Sequence, residues 1–419
     1  MATGYVADVP YVRNFVRETA PAWLDHAALI AGFAPPAPNP GFAWCDLGCG
    51  PGTNAAIMAA THPHGSFHGI DAMSAHIDEA RLLARDAHIP NVHFHALDFT
   101  AATALDFGGF DYIVSHGVYT WIDQTARQQW LGFIDHHLKP GGLLYVSYNA
   151  MPGRAADLPL QRLVRALGCS TPGGNTRDRM LSALTVVDSM NAMKAPALAA
   201  SPMMQRLQEN RDRFDPDYLA HEFMVPGWDP QCVTDVRAHL AQAGLKPVGS
   251  ATLVENYDNF VLGRAARELL ATIQDPNARE FARDFLIDQF FRRDVFVREG
   301  QTLNDAERRR RLMNSAFYLA DPPDEVTYTL ATPAGNLSFD NPAARHIVKG
   351  LAAGPRRLTE LSRNPSIPEK DLLANALALT AAVTIWPVEA ADVPVHDINR
   401  ALKGRYRVLA CGTAVRAAA

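Results

Sequence analysis

The 419-residue sequence predicts an α/β chain built on a doubly wound, mostly parallel sheet, and three observations carry that expectation. Between residues 42 and 148 short apolar strands alternate with helical stretches, the pattern of βαβ units. A glycine-rich turn joins the first of these strands to the helix behind it. Three Asp residues then fall at the carboxyl ends of three successive strands, where open α/β sheets hold their ligands.

The elements follow in order. Residues 10–33 read as a helix, because Phe15, Leu24, Ala27, Ala28 and Ile30 recur at roughly helical spacing until Gly32 stops the run. Residues 35–40, four of them Pro, form a stiff connector. Strands are expected at 42–47, 66–71, 92–97, 110–115 and 143–148, with helices at 53–60, 74–88 and 125–138 and a turn at 139–142. From Met151 to about Trp228 the pattern is helical. A helix at 235–243 and strands at 246–254 and 259–262 resume the α/β pattern. The chain is then mainly helical, with a hairpin across Pro333-Ala334-Gly335 and helices at 342–352 and 369–383, a winged-helix-like set. The division expected is a core of 1–150 plus 229–265, a helical insertion at 151–228 serving as lid or dimerisation element, and a regulatory and winged-helix-like region at 266–419.

Composition narrows the classes of function. With 48% hydrophobic and 20% charged residues the chain is neither disordered nor fibrous, and at this length it needs no disulfide or structural metal to build a core. A net charge of −5 argues against broad binding to nucleic acid or an anionic membrane. The five Cys (Cys45, Cys49, Cys169, Cys232 and Cys411) include no C-x-x-C pair, which excludes a zinc ribbon and points to a reducing, cytoplasmic compartment. No signal-peptide pattern and no long apolar run is present, so neither secretion nor membrane insertion is expected.

The sharpest signal is Cys45-Asp46-Leu47-Gly48-Cys49-Gly50-Pro51-Gly52-Thr53-Asn54. Alternate glycines let the backbone bend tightly and let a ligand approach without meeting a Cβ. Dinucleotide folds space them G-x-G-x-x-G to seat a pyrophosphate. Here the spacing is G-x-G-x-G behind an acid, which would repel pyrophosphate but can face the amino group of an amino-acid tail. That favours S-adenosylmethionine over a nicotinamide dinucleotide. The next strand ends at Asp71, placed to accept two ribose hydroxyls, followed closely by Met73. The third ends at Asp98-Phe99, where the carboxylate can accept the adenine amino group and Phe99 can flank the ring.

At these residues the chain resembles the class I S-adenosylmethionine-dependent methyltransferases: Asp46, Gly48, Gly50 and Gly52 match the first motif, Asp71 the ribose acid and Asp98 the adenine contact. The resemblance implies a Rossmann-like core of seven strands over residues 42–148 and beyond, with S-adenosyl-L-methionine as cofactor and with Asn54, Met73, Phe99 and Ser115 beside it. A narrower resemblance rests on His116-Gly117-Val118-Tyr119-Thr120-Trp121, on 146–153, on Tyr218-Leu219-Ala220-His221-Glu222-Phe223 and on Phe291-Arg292-Arg293-Asp294-Val295. These phrases look like a bacterial subgroup that carries a methyltransferase regulatory domain and includes the rickettsial-type protein-lysine methyltransferases.

Methyl transfer from a sulfonium is an in-line displacement, governed mainly by alignment in a water-poor pocket. The loops after the fourth and fifth strands should border the methyl group, which makes His116, Tyr119, Trp121, Tyr148 and Asn149 the candidate catalytic residues. Their aromatic faces suit a sulfonium or a methylated ammonium, and His116 could act as base or orient the acceptor. The resemblance implies a protein or peptide lysine as acceptor and a homodimer. A small-molecule N- or O-methyltransferase, or a non-catalytic protein that binds S-adenosylmethionine, remain as alternatives. No metal is expected, since His93 and His95 share a strand face without a Cys or carboxylate to complete a site. Helix 369–383 holds one Lys and no Arg, so it is not expected to read nucleic acid.

Overall fold

The computed structural model describes residues 6, 8, 9, 11, 13–37, 41–199 and 201–388; the end of the proline connector and Cys411 lie outside them. The apolar runs of the first third become β1 (Ala43–Leu47), β2 (Ser66–Asp71), β3 (Val92–Ala96), β4 (Phe110–Ser115) and β5 (Leu138–Asn149). Each pairs in parallel with its neighbour in the order β3-β2-β1-β4-β5. The helices α1 (Pro21–Ile30), α2 (Thr53–Thr61) and α3 (Ser74–Asp86) cover one face, and α4 (Phe99–Thr103) and α5 (Gln124–His137) the other. Because both faces are covered, the inner strands β1, β4 and β5 are buried along almost their whole length, Trp44, Phe110 and Tyr145 among them, whereas the edge strand β3 leaves His93 and Ala96 exposed.

Three expectations change here. The first helix begins only at Pro21: proline disfavours helical backbone at Ala20, which is extended, and Val16 before the turn at Arg17–Thr19 is extended too. The turn expected at 139–142 is absorbed into the start of β5, where a register shift and positive φ at Gly141 mark an irregularity. The strand expected at 259–262 is helical.

That last change moves a boundary. After β5 come α6 (Leu158–Ser170), α7 (Thr176–Ala192), α8 (Pro196–Ala199), α9 (Pro202–Asn210), α10 (Pro216–Met224) and α11 (Val233–Ala241). Then follow β6 (Leu245–Ser250), α12 (Asp258–Val261), α13 (Arg264–Leu270), α14 (Pro276–Ile287) and β7 (Phe291–Arg298). The seventh strand of the sheet is β7, lying antiparallel between β5 and β6, so the core extends past residue 265. Its sequence hid it. Arg292 and Asp294 sit on one face of β7 and are both buried, paired with each other, while Arg292 also pairs with Asp284 and Glu280, so the strand lacks an apolar signature there.

The insertion has its own core, in which Leu160, Val164, Met180, Leu184, Leu207 and Phe223 pack around Val6 and Val9 from the N-terminal segment. That segment is pinned at both ends. Asp8 accepts from Thr176 N–H at 2.8 Å and Val9 O pairs with His221 Nε2 at 3.1 Å, while Val16 N–H donates to Asn54 at 3.1 Å. It therefore crosses from the insertion to the sheet as a strap.

The rest comprises α15 (Asp305–Asn314), β8 (Ala316–Leu319), the hairpin β9 (Thr329–Thr332) and β10 (Gly335–Ser338), α16 (Pro342–Leu351), β11 (Arg356–Arg357), α17 (Leu358–Leu361), α18 (Glu369–Ala381) and β12 (Ile385–Val388). A three-stranded sheet β11-β8-β12 packs with the last three helices around Phe317, Ile347, Leu358, Leu372 and Leu379. The hairpin precedes these helices. Trp386 docks the module edge-on against Trp23 of α1.

Candidate functional site

The glycine turn after β1 is held to β2 by Gly48 and Cys49 N–H groups, both donating to Ile70 O at 2.8 and 3.0 Å. Gly48, Gly50 and Gly52 all have positive φ, for different reasons. A Cβ on Gly48 would lie 2.4 Å from Val118 Cγ2, and one on Gly52 would lie 2.4 Å from Ala80 Cβ. Packing imposes those two. A Cβ on Gly50 would meet only the Tyr11 ring, at 3.8 Å, and one on Gly117 only the Tyr11 hydroxyl, at 3.7 Å. Gly50 and Gly117 thus border a crevice at the strand ends, with Tyr11 of the strap across from both.

Asp71 closes the loop. One carboxylate oxygen accepts from Gly50 N–H and the other from Met73 N–H, each at 2.9 Å, and His76 Nδ1 stands 3.4 Å away. Each oxygen keeps a further lone pair, which suits a pair of vicinal hydroxyls. Asp98 caps α4 by accepting from Ala101 N–H with one oxygen and is otherwise exposed at the end of β3, with Phe99 half-buried beside it. Asp46 lies beneath the turn rather than open to it. Burial pushes its carboxyl up to about 7, against a 3.4 Å contact from Asn54 Nδ2, and neighbouring Asp71 raises it further. Asn54 is spent on the protein itself: its amide joins Asp46, Thr19 and the Val16 backbone, fastening the strap to the loop. Ser115 is fully buried, donating to Leu47 O at 2.8 Å and accepting from Trp130 Nε1 at 3.1 Å, so its hydroxyl ties β4 to β1 and faces no ligand.

The five candidate catalytic residues divide. The Tyr119 hydroxyl pairs with His239 Nδ1 at 2.8 Å and its ring packs on Trp130 and Tyr148, inside the core. Tyr148 donates to Asp294 at 2.6 Å and is equally buried. Alternation along β5 explains it: Tyr148 points to the α5 face with Leu144 and Val146. Trp121 stacks on Trp228 against the insertion. These three are packing. Asn149 closes β5 through its backbone, on Thr120 and Gln231, and its side-chain amide has no hydrogen bond among the described residues.

His116 differs from all of them. Its Nδ1 meets the Tyr145 hydroxyl at 2.8 Å and Ser147 Oγ at 3.1 Å, and its ring stacks on Tyr145. Burial, with Arg293 nearby, pushes it down to about 3, so the ring is neutral at any working pH. Burial also holds Tyr145 protonated. Ser147 already accepts from Gly117 N–H at 2.8 Å. Each hydroxyl can donate to Nδ1 or accept from it, so these contacts fix the place of the ring and not its tautomer, and Nε2 has no partner among the described residues. Buried and neutral, this histidine is poorly suited to take a proton.

The acid that sequence reasoning passed over is Glu222 on α10. Tyr218 hydrogen-bonds it, Arg154 lies close, and burial raises its carboxyl above the usual range despite both. The Tyr11 phenol, edge-on to His221 at 4.9 Å, is held protonated by burial and by the charges of Glu222 and Asp71. Tyr11 therefore connects the Glu222 cluster to the glycine turns. The signal was present: Tyr218-Leu219-Ala220-His221-Glu222-Phe223 places a carboxylate inside an apolar helical run.

Comparisons with known proteins bear on this geometry. Residues 38–172 match a methyltransferase domain and residues 215–298 a predicted methyltransferase regulatory domain. An uncharacterized protein of Synechocystis sp. is 34% identical over 361 residues, covering 86% of this chain and 71% of that one. A trans-aconitate 2-methyltransferase of Methylobacterium radiotolerans is 35% identical over 127 residues, 30% of this chain and 44% of that protein. Against several curated relatives the chain spans about half of their length. Among solved structures, PKMT2 from Rickettsia typhi in complex with AdoHcy superposes with a TM-score of 0.66 at 20% identity, covering 91% of this chain and 78% of that one, a likeness of fold.

Proposed function

This chain belongs to the class I S-adenosylmethionine-dependent methyltransferases that carry a methyltransferase regulatory domain, and we propose that its acceptor is a protein lysine side chain. S-adenosylmethionine, when bound, supplies a methyl carbon activated by the attached sulfonium. The residues present fit that group. Asp71 would take the ribose hydroxyls and Asp98 with Phe99 the adenine, while the glycine turns admit the backbone to close contact. Asp46, beneath the turn, contributes negative potential where a cation is to lie.

Glu222 carries the choice of acceptor. A carboxylate walled by Tyr11 and Tyr218 attracts an ammonium, and aromatic faces favour a cation beside them. Burial raises the affinity of Glu222 for a proton, so it is suited to receive the one an ammonium must lose. The lone pair set free is the nucleophile that in-line displacement requires. His116, neutral and held by Tyr145 and Ser147, would orient what enters through a hydrogen bond. The name PKMT2 borne by the rickettsial neighbour, and the resemblance of this chain's phrases to rickettsial-type protein-lysine methyltransferases, support the same acceptor. The trans-aconitate relatives support a second reading, a small carboxylate acceptor, against which Glu222 would stand as a repulsive charge.

The deciding experiment offers S-adenosylmethionine with lysine peptides, matched peptides bearing Nε-acetyllysine, and a metabolite panel that includes trans-aconitate, read by mass spectrometry. Methylation confined to free-lysine peptides, rising from neutral to alkaline pH, is expected. Turnover on metabolites alone, or a rate flat over that pH range, overturns the lysine reading.

A further inference from the structure

The fold treats the two arginines of Phe291-Arg292-Arg293-Asp294-Val295 differently. Arg292 is buried and holds Glu280, Asp284 and Asp294. Arg293, one step along β7, leaves the other face of the strand, is half-buried, and has no ion pair among the described residues. Its Nε is buried and its Nη1 donates to Thr252 Oγ1 at 3.1 Å. Nη2 makes no hydrogen bond among the described residues and keeps access to solvent. A guanidinium half out of water and without a counter-charge is costly unless a ligand supplies one.

Its place is the crevice end of the sheet. Register sets Arg293 opposite Ser147 of β5, so the two side chains leave the same face. Ser147 Oγ is an atom that meets His116 Nδ1, at 3.1 Å. The Arg293 guanidinium stands 5.0 Å over the Phe291 ring, and Phe291 is edge-on to His116 at 5.9 Å. Its charge reaches His116, where it adds to burial in holding that ring neutral. Phe291 pairs with Asn149 at the end of β5, and Thr252 follows β6, so these groups gather at carboxyl ends of strands. Glu18, a carboxylate that acts on neighbouring Tyr145, pairs with Arg17 at 3.4 Å rather than with Arg293.

Distance across the sheet tells donor from acceptor. At about 4.8 Å per strand, β7 lies roughly 10 Å beyond β4 and roughly 14 Å beyond β1. That is past Asp71, Asp98 and the glycine turns, which fit the donor, and on the far side of His116 from them. A guanidinium with a free edge, backed by an aromatic face, suits a carboxylate. We propose that Arg293 is a specificity residue that receives a carboxylate of the acceptor through Nη2. For the lysine acceptor proposed above, on which this form of the inference rests, the carboxylate belongs to an Asp or Glu beside the lysine. The crevice then reads a pair of opposite charges, the ammonium at Glu222 and the carboxylate at Arg293.

The test gives the full-length protein each acceptor beside a copy lacking one carboxylate: lysine peptides flanked by Glu or by Gln, and trans-aconitate or its monoamide. Methylation is followed by mass spectrometry and AdoHcy affinity by calorimetry. The wild type should favour the Glu peptide by about tenfold in kcat/KM, chiefly through KM. Arg293→Gln should abolish that preference and Arg293→Lys keep part of it, with AdoHcy affinity within about twofold in both. Turnover of trans-aconitate alone, reduced in the monoamide and by Arg293→Gln, supports the carboxylate subsite while it removes the lysine reading. Equal turnover with and without the carboxylate in the wild type, a comparison that needs no variant to fold, overturns the proposal. So does an Arg293→Gln protein whose AdoHcy affinity falls as far as its acceptor preference, since the carboxylate is then the donor's own.

Discussion

On the function proposed above, the two halves of the crevice are built in opposite ways. The cofactor half comes from one continuous stretch, residues 46–99, in which each strand end delivers its own residue and neighbouring backbone N–H groups fix it, as Gly50 and Met73 fix Asp71. The proposed acceptor half is gathered from five remote places: Tyr11 on the strap, His116 after β4, Asn149 at the end of β5, Arg154 behind it, and Tyr218 with Glu222 on α10. A half encoded in one stretch is rigid and general. A half assembled from separate elements can change its acceptor while the other stays as it is.

Variants should respect that division. The largest separation is expected from Glu222→Gln, which should lower kcat on a lysine peptide by about 10²–10⁴-fold while AdoHcy affinity, measured by calorimetry, stays within about twofold. Equal losses in both quantities would mean the two halves are not separable. Asp71→Asn is the converse: AdoHcy should bind about 10- to 100-fold more weakly, because the Gly50 and Met73 amides lose a charged acceptor.

Two smaller effects sharpen the contrast. The Asp46 carboxyl lies near 7 in the folded chain and near its ordinary 3.8 when unfolded, so its ionisation costs stability in full above pH 7 and the cost fades as pH falls from 7 towards 3.8. Asp46→Asn should therefore raise the melting temperature of the cofactor-free protein more at pH 8 than at pH 6. A gain equal at both values would show that Asp46 does not titrate there. Smallest is Tyr119→Phe, which removes the bond to His239. It should cost about 1 kcal/mol in denaturant titration and leave kcat unchanged, as expected of a residue that faces the core.

The same contrast explains how much could be read in advance. Strand positions from 43 to 115, the glycine turn, and the strand-end places of Asp71 and Asp98 were legible because short apolar runs, turn chemistry and strand-end placement are local rules. Tyr119 and Tyr148 misled because nearness in sequence to a strand end does not fix the face on which a side chain emerges; one step along β5 separates Tyr148 from Asn149. Glu222 has no local signature beyond a charge within an apolar helix, and its meaning arises only when α10 meets the strap. The seventh strand was concealed by Arg292 and Asp294, whose burial is made tolerable by Glu280 and Asp284 of α14 around Arg292 and by Arg292 and Tyr148 around Asp294.

The order of synthesis differs from the order of the sheet. β7 pairs with β5 along residues 143–149, yet it leaves the ribosome after the insertion, β6 and most of the regulatory segment. Until residue 298 has emerged, β5 presents an unpaired edge of the kind that recruits other chains. A polypeptide stopped just short of that point would be no smaller enzyme. It would be a five-stranded sheet with the place between β5 and β6 empty, a better substrate for chaperones and proteases than for catalysis.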